Sequence, residues 1–205
     1  LIRQAVADGL SLAGRASLHR RAAEALAARG GAEPLDIAAH WQAADEPQAA
    51  LDWLHRGAQQ QKERGHFESA RALWQQVADQ AVDPAHALRA RLALAECDLL
   101  DDLHRGRAEL EAVHEAARAL DAEPARTELQ AQALAGLVDN AVFAGDLARA
   151  ATWAAALRDL LPRLKPAQRT APLEVLIELA MREPDMPAAW ASLGALRQLV
   201  PRRPS

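Results

Sequence analysis

A spacing of three, four and three residues recurs along this chain, with a large residue first, a small one second and an aliphatic one last. It reads Phe67, Ala70, Trp74, Val77, then Leu103, Gly106, Leu110, Val113. It returns as Leu147, Ala150, Ala154, Leu157 and as Met186, Ala189, Leu193, Leu196. On a helix of 3.6 residues per turn each series falls on one face. A small residue between larger ones shapes a groove that admits a neighbouring helix. The small positions, Ala70, Gly106, Ala150 and Ala189, follow one another at steps of 36, 44 and 39 residues. Each series starts just after a turn signal: "ERGH", "LLDD", "AGD" and "EPD". A period of about 35–45 residues with two helices in each is the pattern of stacked helical hairpins.

Proline and glycine cut the rest of the chain into pieces of helical length. Segments are predicted at 11–29, from Pro34 to the turn at Asp45, and at about 47–63, 67–81, 85–100 and 103–120. More follow at about 124–144, 147–161, 168–182 and 187–199. Pro34, Pro47, Pro84, Pro124, Pro166 and Pro187 stand at or near their starts, where a missing N–H costs little. No stretch alternates β-branched residues for long enough to make a strand. The expected class is all-α: an open, right-handed superhelical stack of antiparallel helix hairpins. The expected organisation is amino-terminal linking helices over 1–45, degenerate repeats over 46–200 and a tail over 201–205.

Composition agrees and excludes some functions. Half of the 205 residues are hydrophobic, much of that alanine, and aromatics are 3%, which favours helices over strands. A net charge of −4 gives no basic field to draw nucleic acid or an anionic membrane. The pairs Arg20–Arg21 and Arg202–Arg203 read as solvated. The single cysteine, Cys97, cannot form an intramolecular disulfide, which fits a reducing compartment. No apolar run approaches the ~18 residues of a membrane span. The start, Leu1-Ile2-Arg3, lacks the order of a signal peptide. The expected location is cytoplasmic. A first residue other than Met suggests a piece of a longer protein.

"GHFESARALW" and "AGDLARAATWAAAL" resemble the turn and second helix of the tetratricopeptide repeat, through Gly65, Phe67, Ala70 and Trp74 in the first. The first helices match less well: Ala58 suits the small position, but Val138 stands where a small residue is expected. A second resemblance covers residues 1–80. Arg15, Leu18 and His19 are followed by Ala38, His40 and Trp41 and then by the repeats. This is similar to the segment after the ATPase module of large bacterial signal-transduction ATPases, including MalT-like, LuxR-type and AfsR-type regulators. The resemblance implies a non-enzymatic sensor or protein-interaction module in a cytoplasmic transcriptional regulator, with nucleotide-binding and DNA-binding modules elsewhere. A stand-alone adaptor or scaffold is the alternative. The chain itself has no G-x-x-x-x-G-K-[ST] loop and is not expected to bind ATP.

Catalytic and metal chemistry find little support in the sequence. His19, His40, His55, His66, His86, His104 and His114 include no H-E-x-x-H and no pair four residues apart. His19 and His40 are expected to pack, with one hydrogen bond each, at the hairpin of the first two helices. Asp102 stands where a helix N-cap is wanted. Trp53, Trp74, Trp153 and Trp190 lie in or beside the stripe and are expected to pack between helices, leaving Trp41 as the one candidate for another role. Asp139 and Asn140 interrupt an apolar helix and must either bond inside the array or face a groove. No catalytic residue, metal or cofactor is expected.

In a hairpin array the first helices line the inner surface. The expected partner-binding residues there are Asp52, His55, Gln59 and Lys62, then Arg91 and Asp98, then Gln132 and Asp139, then Glu174, Glu178 and Arg182. Their mixed signs suit a protein or peptide, another domain of the same chain included, rather than a phosphate backbone. A small-molecule inducer is a further possible partner.

Overall fold

The computed structural model describes residues 11–98, 102–182 and 185–199, without the side chain of Met186. The expected tail at 201–205 and the first ten residues lie outside this description. Ten α-helices and no strand are found among the described residues. They are α1 (Leu12–Arg29), α2 (Pro34–Ala43), α3 (Pro47–Glu63), α4 (Phe67–Gln80) and α5 (Pro84–Asp98). Then come α6 (Leu103–Arg118), α7 (Ala125–Phe143), α8 (Leu147–Leu160), α9 (Thr170–Arg182) and α10 (Met186–Leu199). Two short 3-10 turns, Leu161–Arg163 and Pro166–Gln168, join α8 to α9.

Four helices end in a shared manner. The amide of Glu46 donates to the Trp41 carbonyl, that of His66 to Gln61, that of Asp146 to Ala141 and that of Asp185 to Ala180, at 2.8–3.0 Å. Each closes the last helical turn by reaching back five residues, which satisfies a carbonyl the helix leaves open. At three of these turns the residue just before the donor has positive φ: Asp45 at 60°, Gly65 at 80° and Gly145 at 76°. Two are glycines because a Cβ is strained there. Aspartates cap three helix starts. Asp102 accepts from the amides of His104 and Arg105, Asp146 from Arg149 and Asp185 from Ala188. Those amides hold the Asp102 carboxyl below its ordinary range.

The chain forms two compact units, Leu1–Ala90 and Arg91–Ser205. In the first, α1 packs on α2, α2 on α3 and α3 on α4. Its core gathers Ala38, Ala50, Leu51, Leu54, Val77 and Ala90, edged by Leu35 and Trp41. Each leucine buried there contributes about 1.5–3 kcal/mol. In the second unit α7 is central and packs against α6, α8 and α9, while α10 packs on α9. This is why "LAGLV" and its neighbours are apolar nearly all round: Leu129, Leu134, Leu137, Val138 and Ala141 are all buried.

The recurring stripe is a packing seam. Ala70, Trp74 and Val77 are buried, as are Gly106, Leu110 and Val113, and Ala150, Ala154 and Leu157. Ala189 is buried too. Two helical glycines face a leucine side chain of the preceding helix. A Cβ on Gly57 would stand 2.2 Å from Cδ2 of Leu35, and one on Gly136 3.0 Å from Cδ1 of Leu110. Val138, where a small residue is expected, is instead buried in the core of this unit. Trp190 departs from expectation: it is 63% exposed. The buried side of α10 is centred on Ala189, and the next residue turns about 100° away from it.

Candidate functional site

In the first unit the α3 residues turn towards their own neighbours. The Asp52 carboxylate pairs with Nε2 of His86 at 2.8 Å, and Asp83 stands 3.3 Å from the other ring nitrogen. One turn earlier, the Gln48 side chain donates to the Gln80 carbonyl and accepts from the Val82 amide. Together they clasp the segment between α4 and α5. The His55 ring lies 6.2 Å from that of Trp74, and the Lys62 ammonium 5.8 Å from the same ring. The ring draws the cation through its π-face. Gln59 donates to Glu63. Asp52, His55 and Lys62 thus serve the hairpin, while Gln59 bonds within its own helix.

The amino-terminal hairpin holds His19 and His40 in contact. Their Nδ1 atoms are 2.9 Å apart and their ring centroids 5.1 Å. The pair joins α1 to α2 as expected, beside an ion pair of Arg20 with Glu46. One ring must donate and the other accept. Trp41 packs at the edge of the core.

In the second unit, Arg91 pairs with Glu109 at 3.2 Å, joining α5 to α6. Asp98 is buried and meets Nε of Arg105 at 3.2 Å. These two are likewise engaged within their unit. The polar interruption of α7 divides its labour. Asn140 is 2% exposed and donates to the Leu103 carbonyl at 3.2 Å, tying α7 to the start of α6. Asp139 points the other way.

The remaining expected residues share a surface. On α7 the exposed side positions are Gln132, Asp139 and Phe143, a narrow open stripe on an otherwise buried helix. On α9 the exposed face carries Glu174, Glu178, Met181 and Arg182. Glu178 lies close enough for its charge to act on Asp139. Burial first, and Glu178 second, hold the Asp139 carboxyl above its ordinary range. Arg182 donates to Glu178 at 3.4 Å. Phe143 is 77% and Met181 66% exposed.

The sequence did not disclose these two apolar residues as surface features, although Phe143 borders the "AGD" turn and Met181 follows the Glu174/Glu178 pair. Nor did it disclose the bracing of this unit by Glu123. That carboxylate accepts from the Thr127 hydroxyl, from Arg126 and, at 2.8 Å, from Arg163 forty residues on. The Thr127 hydroxyl, then Arg126, hold it below its ordinary range.

Among the described residues no group of three or more His, Cys, Asp or Glu side chains could hold a metal ion. No helix there is long and apolar enough to cross a membrane. Cys97 is buried. An apolar groove between α9 and α10 is lined by Leu173, Ala195 and Leu199, and by Arg169, whose guanidinium is committed to the carbonyls of Leu164 and Pro162. No protein-family model matches the chain, and neither a curated protein nor a solved structure matches it.

Proposed function

We propose that the chain is a helical-hairpin interaction module of a bacterial transcriptional regulator, without enzymatic activity of its own, whose hairpins stack into a right-handed superhelix. The observation that carries the repeat reading is the common build of successive hairpins. The same five-residue closing bond recurs at Glu46, His66, Asp146 and Asp185, and small residues sit buried at Ala70, Gly106 and Ala150. In the second unit α7 touches both its hairpin partner α8 and the first helix of the next hairpin, α9. That order of contacts suits a stack, in which each unit buries its face on the next. The regulatory role rests on the resemblance of residues 1–80, in which His19 and His40 meet across α1 and α2.

The reading is tested in the intact gene product. A phosphate-binding loop upstream in the same reading frame is expected. Deleting residues 11–199 is then expected to leave nucleotide binding in place while uncoupling it from the signal that drives transcription. A reading frame with no such loop would remove the regulator assignment. An enzymatic turnover retained by the isolated chain and lost on substituting its own side chains would remove the interaction-module assignment.

A further inference from the structure

The outward faces of α7 and α9 combine two features that single out one kind of visitor. The helices run in the same direction. Arg163, just after α8, reaches back to Glu123 at the start of α7, so α8 runs antiparallel to α7. A short connector then starts α9 at that same end, and Asp139 lies opposite Glu178. One turn further along each helix come Phe143 on α7 and Met181 with Arg182 on α9. The surface thus runs from carboxylates at its middle to exposed apolar side chains at one end. Gln132 to Phe143 spans about 16 Å along α7, the length of three helical turns.

Singly exposed apolar residues are ordinary. Here two of them border three carboxylates, Asp139, Glu174 and Glu178, of which Glu178 also accepts from Arg182. We propose that this face docks a protein segment bearing lysines or arginines beside a bulky apolar anchor. The cations meet Asp139, Glu174 and Glu178, and the anchor covers Phe143 and Met181. Charge complementarity selects the occupant: an acidic segment or a phosphate backbone would meet like charge. Burial and the neighbouring Glu178 both oppose the ionised form of Asp139, and an incoming cation offsets the repulsion from Glu178. The proposal rests on the reading of the chain as an interaction module and names its partner's chemistry.

The probe is a fluorescein-labelled peptide with a run of arginines followed by leucine and tryptophan, followed by anisotropy at several salt concentrations. Two control peptides replace the arginines by glutamates, or the leucine and tryptophan by serines. The triple variant Asp139→Asn, Glu174→Gln, Glu178→Gln is expected to bind the probe about tenfold more weakly, ~1.4 kcal/mol, with a flatter salt dependence. Phe143→Ser with Met181→Ser is expected to weaken the probe but not the peptide lacking the anchor. A third variant neutralises the exposed Glu24, Glu111 and Asp159 and is expected to bind like wild type, which separates this face from bulk charge. Circular dichroism confirms helicity in each. Equal binding by the triple variant, equal loss in the third variant, or equal binding of the glutamate peptide overturns the proposal. The interaction-module reading fails separately, on the intact gene product, and a peptide result leaves that test unchanged.

Discussion

Asp139 and Asn140 are adjacent and polar, and they do opposite things. Asn140 turns inward, where its amide donates to the Leu103 carbonyl and its Oδ1 has no partner among the described residues. Asn140→Ala is expected to cost about 1–3 kcal/mol in urea denaturation, through a lost bond and a small void. Asn140→Leu is expected to cost less, because its side chain fills the void that alanine leaves. Asp139 turns outward into a place that disfavours its charge. Its folded-state pKa is raised, so ionisation weakens the fold above that raised value. Asp139→Asn is therefore expected to be more stable than wild type near neutral pH, by ~0.5 kcal/mol for a screened position. The gap should shrink as pH falls through the raised value and vanish below the ordinary carboxylate range. A gap that grows on acidification would contradict the assignment. The sequence shows that this pair interrupts an apolar helix. Which member turns inward depends on where α6 lies, and that information sits some forty residues away.

At the scale of the helices, most boundaries were legible because proline, glycine and capping aspartates mark them locally. The turns repay direct testing. Gly65→Ala and Gly145→Ala place a Cβ at positive φ and are each expected to cost ~1 kcal/mol. Asp45→Gly, at the equivalent place, is expected to stabilise by ~0.5 kcal/mol. Thermal melts that rank these changes otherwise would break the equivalence of the three turns. The seam makes a sharper demand. Ala70→Leu overpacks the α3–α4 crossing and is expected to cost ~1–3 kcal/mol, whereas Ala112→Leu on the exposed side of α6 should stay within ~0.5 kcal/mol. What the helical pattern did not reveal was rotation about each axis. Phe67 opens its stripe and is 39% exposed, Trp190 lies one residue past the buried side of α10, and Val138, where a small residue is expected, is buried in the core. A wheel groups residues on a face; only the neighbouring helices decide how far that face extends.

At the scale of the molecule, the expected inner-surface residues divide by employment. Asp52, His55, Lys62, Arg91 and Asp98 engage partners within their own units, while Asp139, Glu174, Glu178 and Arg182 share an outward face with Phe143 and Met181. The sequence groups residues by helix and cannot show which are already engaged, since the partners of Asp52 and Arg91 lie 34 and 18 residues away. The all-α class followed from punctuation and the absence of alternation. The superhelical stack is the central claim, and small-angle X-ray scattering of the monodisperse chain tests it most directly. A compact domain of this length has a radius of gyration of about 17 Å. An open stack is expected to exceed that value clearly, with a distance distribution skewed to a long tail. A radius near that value with a symmetric distribution would contradict the stack.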